Sequence, residues 1–213
     1  MNQTDKPATV RVAQRISTID PKGWQLCSGD TAINSGNPFI SYDFLDILEE
    51  SECVSAETGW LPQHVVIEDE CGVAACMPCY LKGHSQGEYV FDHAWADAFE
   101  RAGGQYYPKL QISSPFSPVT GPRLLVRPDV DQDKYRSLLA HAGLQLMDHY
   151  NASSMHLTFL PEEEARFLET RDFLLRNDQQ FHWFNKNYNA FEDFLDDLSA
   201  RKRKNIRRER RLA

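Results

Sequence analysis

The chain has 213 residues, with 23 Lys and Arg against 31 Asp and Glu, for a net charge of -8 and an isoelectric point near 5.4. Its length suits one large domain or two small ones, and its 41% of apolar residues suffices for a packed core. No apolar run reaches the ~18–20 residues of a membrane span, and the N-terminus lacks the apolar stretch of a secretory signal. The absence of both features leads us to expect a cytoplasmic protein. An acidic body repels nucleic acid, so we exclude DNA as its partner.

The first third of the chain predicts strands and helices in alternation. The predicted elements are a strand at 8–18, helices beginning at Pro21 and Pro38, and a hairpin of strands 64–69 and 73–82. Asp20 before a proline is typical of a helix N-cap, and it predicts that Trp24 and Leu26 face inward. Gly72 can adopt the positive φ that a tight hairpin turn needs.

The remainder continues the alternation of helices and strands. The predicted strands are 89–91, 107–112, 124–126, 154–160 and 180–185. The predicted helices are one through Trp95 and Phe99 closed by Gly103 and Gly104, then 131–150, 161–170 and 190–213. Three prolines between 115 and 122 exclude a helix there. The pattern indicates an α/β chain, without an internal repeat.

Five cysteines fit reduced thiols in a cytosolic protein. Cys76 and Cys79 form a CxxC, which is typical of a redox pair or half of a zinc site. This one lies in a predicted strand that contains a proline, and no second metal-binding pair follows. We therefore expect Cys71, Cys76 and Cys79 to be small core thiols, and we expect no metal site.

One short segment concentrates side chains that carry chemistry: Lys82, His84, Ser85, Glu88 and Asp92 lie within eleven residues. A Ser-His-acid triad is disfavoured, because adjacent residues of an extended chain point to opposite faces and no GxSxG is present. A plain polar loop remains open, but we favour a substrate-binding loop.

The proline-rich segment 113–123 is the second candidate. Its prolines stiffen the segment, and Thr120 offers a hydroxyl for a ligand. The guanidinium of Arg123 offers paired N–H groups that can bind a carboxylate or phosphate. A lid over a pocket and a structural connector both remain open. Tyr107 and Lys109, just before it, fit ligand contacts, although aromatic pairs are usually core.

The C-terminal segment reverses the charge of the chain. Residues 201–211 hold eight Lys and Arg, and the remaining residues hold 15 basic against 30 acidic groups. Like charges on one helix repel, so we expect this helix to face a further part of the protein, another chain or a polyanion. A solvated linker helix is the alternative.

Four stretches of the chain are long enough to be compared with known families: NPFISYDFLDILEE, HSQGEYVFDHAWADAFERAGGQYYPKLQ, PFSPVTGPRLLV and SARKRKNIRRERR. They resemble a bacterial family of predicted N-acyltransferases, grouped with the Fem-type peptidoglycan aminoacyl transferases and the GNAT superfamily. The resemblance implies a GNAT-like mixed, largely antiparallel sheet flanked by helices, as the first of two tandem halves. Residues 1–199 would form this N-terminal domain, and residues 200–213 the basic helix leading into a second, missing half.

The same resemblance implies the substrates. Fem-type enzymes transfer an aminoacyl group from tRNA to a peptidoglycan precursor, and GNAT enzymes use acyl-CoA. We therefore expect acyl-CoA or aminoacyl-tRNA as co-substrate, an anionic acceptor, and no resident cofactor. The sequence lacks the Q/RxxGxG/A turn that holds coenzyme A diphosphate in GNAT enzymes.

The resulting hypothesis is an N-acyltransferase that moves an acyl or aminoacyl group to an amine, with His84 or Glu88 as the base. The expected substrate-binding residues are Lys82, Ser85, Asp92, Tyr107, Lys109, Thr120 and Arg123. The expected polyanion-binding residues are Arg201, Lys202, Arg203, Lys204, Arg207 and Arg208. Two alternatives are a non-catalytic module that binds a cell-wall precursor or polyanion, and an RNA-binding protein that acts through the basic segment alone.

Overall fold

The computed structural model describes residues 8–29 and 36–212. The strands are β1 (Thr9–Ala13), β2 (Trp60–Pro62), β3 (His64–Asp69), β4 (Gly72–Met77), β5 (Cys79–Lys82), β6 (Lys109–Ile112), β7 (Leu125–Val126) and β8 (Met155–Leu157). The helices are α1 (Pro21–Ser28), α2 (Tyr42–Glu50), α3 (His93–Arg101), α4 (Gln132–His149), α5 (Glu162–Glu169), α6 (Phe191–Asp196) and α7 (Ala200–Leu212). They form two compact units, residues 1–173 and 174–213.

The first unit contains two four-stranded sheets, with strand orders β1-β3-β4-β7 and β2-β5-β6-β8. Every neighbouring pair is antiparallel except β6 and β8, which run parallel. The parallel pair needs a crossover, and α4 lies between the two strands in the chain. The predicted mixed α/β class with a largely antiparallel sheet is therefore confirmed. The division into tandem halves stays a prediction.

Successive side chains of β3 and β4 alternate between the two faces of the first sheet, and both faces are buried. Val65 and Ile67 of β3 belong to the core cluster that includes the buried face of α4. Val66, between them, belongs to a second cluster with Trp24 of α1 and Leu45 of α2. Because successive strand residues point to opposite faces, one apolar strand serves both cores.

Proline divides the predicted strand 73–82 into two. β4 ends at Met77 and lies in the first sheet, whereas β5 begins at Cys79 and lies in the second. Pro78, between them, has no N–H to donate to a ladder, so the chain leaves one sheet there and enters the other. This junction delivers Lys82 to the second sheet.

Local signals placed several helices correctly. The Asp20 carboxylate accepts a hydrogen bond from the Gly23 N–H at 2.8 Å, as expected of an N-cap. The inward face of α4 is confirmed by the burial of its apolar side chains. Leu26, expected inside, is exposed. Pro161 caps α5 rather than occupying its first turn, and Glu162 to Glu164 form that turn.

Besides the divided strand 73–82, three predicted elements are absent from the described residues or divided there. Residues 89–91 are not a strand, since Tyr89 has a φ of 57°. Residues 180–185 are exposed, apart from half-buried Gln180, and they pair with no strand in the described chain. The helix predicted over 190–213 is two helices, α6 and α7, and Ala213 lies outside the described residues.

The expectation of core thiols is correct for two of the three clustered cysteines. Cys76 and Cys79 are fully buried, whereas Cys71 is exposed. Burial raises the pKa of Cys79 to about 12 and also raises that of Cys76, where the neighbouring Cys27 adds to the effect. A high pKa keeps both thiols protonated at neutral pH, so the CxxC does not fit redox chemistry.

Among the described helices, none combines the length with the apolar character that crossing a membrane requires.

Candidate functional site

Two lysines lie opposite each other on neighbouring strands. In the antiparallel pair of β5 and β6, Lys82 is the register partner of Lys109. Directly opposite residues project from the same face of a sheet, so their side chains enter the same space. Both residues are fully buried, which is rare for lysine without a partner.

Lys109 is held by three oxygen atoms. Its Nζ donates to Ser85 Oγ at 2.8 Å, to Glu88 Oε2 at 2.8 Å and to Asp92 Oδ2 at 2.5 Å. The three hydrogen bonds use every N–H of the ammonium group. One buried lysine thus links the two ends of the segment that follows β5.

Two phenols extend this network. Tyr106 donates from its hydroxyl to Asp92 Oδ2 at 2.8 Å, and the hydroxyls of Tyr107 and Ser85 are 2.8 Å apart. Hydrogen bonds linked in a chain through a buried region, as from Tyr107 through Ser85 to Lys109, polarise one another and fix the geometry of the group. The Tyr106 and Tyr107 rings also pack edge to face, with centroids 5.1 Å apart.

Both carboxylates keep one oxygen without a protein partner. Glu88 Oε1 and Asp92 Oδ1 are buried, and no group in the described chain donates to them. An unsatisfied buried carboxylate oxygen costs free energy, on the order of 1–3 kcal/mol. Buried polar groups are almost always satisfied, so these two oxygens mark a candidate functional site.

Burial and mutual charge shift the pKa values within this cluster. Burial, helped by the charge of Lys109, lowers the pKa of Lys82 to about 7, although Glu88 opposes the shift. Burial also raises the pKa of Glu88, against the opposing effect of Lys109. For Asp92, burial acts upward, but the hydrogen bond and charge of Lys109, together with the hydrogen bond from Tyr106, outweigh it and lower the pKa to about 2. The pKa values of Lys82 and Glu88 therefore move toward each other, in opposite directions from their ordinary values.

Trp60 forms one wall of the cluster. The Lys82 Nζ lies 3.5 Å from the centroid of the Trp60 ring and donates to the Gln86 carbonyl at 3.2 Å. Phe116 packs against the same ring at 5.3 Å between centroids. The aromatic wall holds the amine on an apolar surface, and this burial disfavours its charged form and lowers its pKa.

Two bulky residues in the surrounding loops have left-handed backbone conformations, Tyr89 with a φ of 57° and Phe116 with a φ of 56°. Gly87 lies between these loops and accepts a hydrogen bond from the Phe116 N–H at 3.2 Å. A Cβ at Gly87 would lie 2.7 Å from the Phe116 ring, so the loops pack at the closest approach the backbone allows. Strained aromatic residues next to a buried charge cluster are typical of a functional site.

The structure places His84 outside this cluster. Its Nε2 lies 3.0 Å from the Thr58 carbonyl, so this nitrogen carries the proton and donates. Its Nδ1 accepts from the Gln86 N–H at 3.2 Å. Ser85 points instead to Tyr107 and Lys109, so no His–Ser pair exists, in agreement with the rejection of a triad.

Arg123, expected to hold a substrate anion, contacts its own loop. Its guanidinium donates to the carbonyls of Val119, Gly121 and Pro122 at 2.8, 3.0 and 3.2 Å, and the residue is fully buried. These bonds fix the proline-rich loop in one conformation. The side chain of Thr120, at the tip, is exposed.

Glu164 of α5 was not predicted from the sequence. Its carboxylate accepts from the backbone N–H groups of Arg123, at 3.0 and 3.2 Å, and of Leu124, at 2.5 Å. The first turn of α5 contains three glutamates, and composition does not distinguish the buried one. The available sequence signal is spacing, since Glu164 lies three residues before Phe167 and four before Leu168, on the apolar side of the helix.

The residues predicted to bind a polyanion all lie on α7, in the second unit. Arg203 pairs with Asp196 at 3.0 Å, and Arg210 lies 4.1 Å from the Phe191 ring. The other predicted polyanion-binding residues lie on exposed turns of α7; they are Arg201, Lys202, Lys204, Arg207 and Arg208. Across the residues that the structure describes, no group of three or more His, Cys, Asp or Glu is arranged to hold a metal ion.

Comparison with known proteins places the chain in a family. No curated protein matches it. Among solved structures, a Trypanosoma brucei acetyltransferase is 14% identical with a TM-score of 0.48, covering 84% of this chain and 100% of its own. An Arabidopsis thaliana glucosamine-6-phosphate N-acetyltransferase is 12% identical with a TM-score of 0.48 and the same two coverages. The ribosomal-protein-alanine N-acetyltransferase of Brucella melitensis biovar Abortus 2308 is 9% identical with a TM-score of 0.49, covering 84% and 99%.

The family models give a direct assignment. One model, described as FemAB-like and as peptidoglycan biosynthesis/recognition, matches residues 15–213. The match spans both compact units, including the segments that contain the buried charge cluster and the basic helix. The chain therefore belongs to the FemAB-like family of peptidoglycan biosynthesis and recognition.

Proposed function

We propose that the chain contributes to an N-acyl or aminoacyl transferase that modifies an amine of a peptidoglycan precursor, and that the buried cluster around Lys109 is its reactive centre. The observation that supports this most strongly is the pair of unsatisfied carboxylate oxygens on Glu88 and Asp92. Membership in a family of peptidoglycan biosynthesis supports the substrate class.

The proposed chemistry follows from the needs of amine acylation. The attacking amine must lose a proton, and negative charge develops on the carbonyl oxygen. Glu88 has a raised pKa and a free oxygen, so it is the better candidate for the base than His84, whose nitrogens both make hydrogen bonds. Lys109 forms ion pairs with both carboxylates, and its positive charge would stabilise the negative charge that develops on the carbonyl oxygen.

Lys82 is proposed to pass the proton that Glu88 takes up from the amine to the leaving group of the donor, a thiolate or an alkoxide. Its amine, with a pKa of about 7, is partly neutral at neutral pH and can accept a proton that Glu88 has taken up. Asp92, with a pKa of about 2, stays charged and holds Lys109 in place. Access of a substrate to these buried groups requires movement of the loops that contain Gly87 and Phe116.

The donor is proposed to be acyl-CoA or aminoacyl-tRNA in the cytoplasm. The N-terminus of α4 does not suit a diphosphate, because the Asp131 carboxylate caps it by accepting from the Lys134 N–H at 3.0 Å, and Asp133 follows in the first turn. The polyanion-binding role of the basic residues on α7 is proposed alongside.

The test is a transfer assay with the purified chain, a peptidoglycan precursor peptide and either acetyl-CoA or aminoacyl-tRNA. We expect amine acylation with one donor, a loss of at least a hundredfold in Glu88→Gln, and a change of less than about threefold in the matched variant His84→Gln. Equal rates in Glu88→Gln and the parent would exclude this cluster as the reactive centre.

A recognition role is the second candidate, because the family description includes recognition and the cluster is closed to solvent. A binding module would take up the precursor peptide without turnover. Calorimetric binding of the peptide, together with no acylation by any donor, would favour this role.

A further inference from the structure

We propose that residues 174–212 form a docking surface for an anionic lipid membrane, in which the cationic face of α7 binds lipid phosphates while neighbouring apolar side chains enter the headgroup region. This inference does not depend on the proposed acyl transfer. It concerns the unit that does not contain the buried charge cluster.

The first observation is the arrangement of charge on α7. At ~100° of rotation per residue, seven of the eight Lys and Arg fall on about half of the helix circumference, with Lys204 near the middle. Four residues of this face line a shallow hollow of about 230 Å³ together with Ala200; they are Arg203, Lys204, Arg207 and Arg211. A one-sided cationic cylinder of this kind lies flat on a negatively charged surface.

The second observation is that most of this charge is not neutralised. Arg203 pairs with Asp196, but within residues 8–29 and 36–212 no carboxylate pairs with Lys204, Arg207 or Arg208. Residues 174–213 hold ten basic against six acidic groups, whereas residues 1–173 hold 13 against 25. The attraction for anions is therefore confined to the second unit.

The third observation is an aromatic cluster that continues onto α7. The Trp183 ring lies 6.2 Å from Tyr188 and 6.1 Å from Phe194, and Phe194 lies 5.7 Å from Phe191. Arg210 then covers Phe191 at 4.1 Å. The cluster and the basic helix are consequently one continuous surface, with Trp183 65% exposed.

The fourth observation is the exposure of large apolar side chains elsewhere in the same unit. Leu174 is fully exposed, Phe181 is 91% exposed and Leu212, beside the cationic face of α7, is 82% exposed. Exposed apolar side chains flanked by basic residues are typical of peripheral membrane binding, and Trp and Tyr prefer the membrane–water interface.

The same surface invites comparison with single-stranded RNA, which also binds to basic and aromatic groups. Two features favour the membrane. Leucines such as Leu174 and Leu212 have no ring face on which a base can stack. The rings of Trp183 and Tyr188 are already stacked on each other, at an interplanar angle of 26°.

The test is sedimentation of the 213-residue chain with lipid vesicles. We expect binding to vesicles that contain phosphatidylglycerol, weak binding to pure phosphatidylcholine vesicles, and a fall in binding as salt rises. In a Trp95→Phe background, Trp183 fluorescence should shift to shorter wavelength on binding, because the other two tryptophans are buried.

Matched variants separate the surface from the overall charge. Lys204→Gln/Arg207→Gln/Arg208→Gln should weaken partitioning about a hundredfold, at roughly fivefold per basic residue. The control has the same net charge but removes three exposed basic residues of the first unit: Lys22→Gln/Arg101→Gln/Arg166→Gln. It should bind like the parent.

Three results would overturn the proposal. They are equal binding to both kinds of vesicle, equal loss in the two triple variants, and binding to a single-stranded RNA oligonucleotide with no binding to anionic vesicles. The last result would assign the surface to RNA.

Discussion

Replacing Lys109 with methionine should destabilise the protein strongly at neutral pH. The substitution removes three hydrogen bonds, at 2.5 to 2.8 Å, and leaves Glu88 and Asp92 as buried carboxylates without a cation in contact. Loss of one partner from a buried ion pair costs about 3–5 kcal/mol, because the remaining charge keeps its desolvation penalty. We expect a decrease of that size in the free energy of unfolding.

Urea denaturation followed by the fluorescence of the buried Trp24 and Trp60 measures this change. The control is Arg166→Met, which breaks an exposed pair with Glu162 and should cost less than about 0.5 kcal/mol. Adding Glu88→Gln and Asp92→Asn to Lys109→Met should recover most of the lost stability. A Lys109→Met protein within about 1 kcal/mol of the parent would refute the reasoning, as would a failure of the added substitutions to restore stability.

The same variant should change the response to acid. The pKa of Asp92 is lowered to about 2 in the folded protein, below its ordinary value of 3.8. Its contribution to stability is therefore complete above about pH 4 and is lost as the pH falls toward 2. Lys109 is a principal cause of the lowered pKa, so Lys109→Met should flatten the acid side of the stability curve.

Three further predictions concern single groups. In the native protein, Cys53 and Cys71 alone should react quickly with a thiol reagent, and all five cysteines should react in urea; fast labelling of a third thiol would contradict the burial described. Gly87→Ala should lower the free energy of unfolding by about 2 kcal/mol or more, because its Cβ would overlap an aromatic ring. Gly29→Ala, which has a similar φ but open space around the Cβ, should lower it by about 1 kcal/mol, and equal losses in thermal unfolding would contradict this. The free energy of unfolding should rise between pH 7 and about 10, because over that range Lys82 binds a proton mainly in the unfolded chain. Denaturation curves of Lys82→Met recorded across the same range should lack this rise.

Signals contained in a few consecutive residues made parts of the fold predictable. The Asp20-Pro21 cap and the spacing of apolar residues along α4 each depend on contacts within one or two turns. The mixed α/β class followed from the order of such elements. The resemblance of whole stretches to a known family predicted the largely antiparallel sheet, and the family assignment is confirmed.

The arrangement of the candidate site was less accessible to sequence reasoning. Lys109 contacts Glu88 and Asp92 across 21 and 17 residues of chain, and only the pairing of β5 with β6 brings these groups together. The sequence identified all three residues as site candidates, with Glu88 as a base and Asp92 and Lys109 as substrate-binding residues, but it did not predict their mutual contact. Tyr106, which was not among the predicted site residues, is the phenol that donates to Asp92.

Errors in the predicted strands share a cause. Residues 180–185 have the composition of a strand, but a strand forms only where another strand offers backbone partners. The described second unit contains helices and irregular chain without such a partner. In residues 89–91, the left-handed conformation at Tyr89 ends any extended run. Both outcomes depend on tertiary contacts that alternation does not report.

The most direct test of the central claim is to compare activity and stability in Glu88→Gln. Because burial raises the pKa of Glu88, its charged form is disfavoured in the fold, and Lys109 keeps Asp92 as an ionic partner, so a neutral amide should cost little stability. The account predicts a free energy of unfolding within about 1 kcal/mol of the parent, with amine acylation reduced at least a hundredfold. Retained acylation at unchanged stability would contradict it and leave the cluster as a structural ion network.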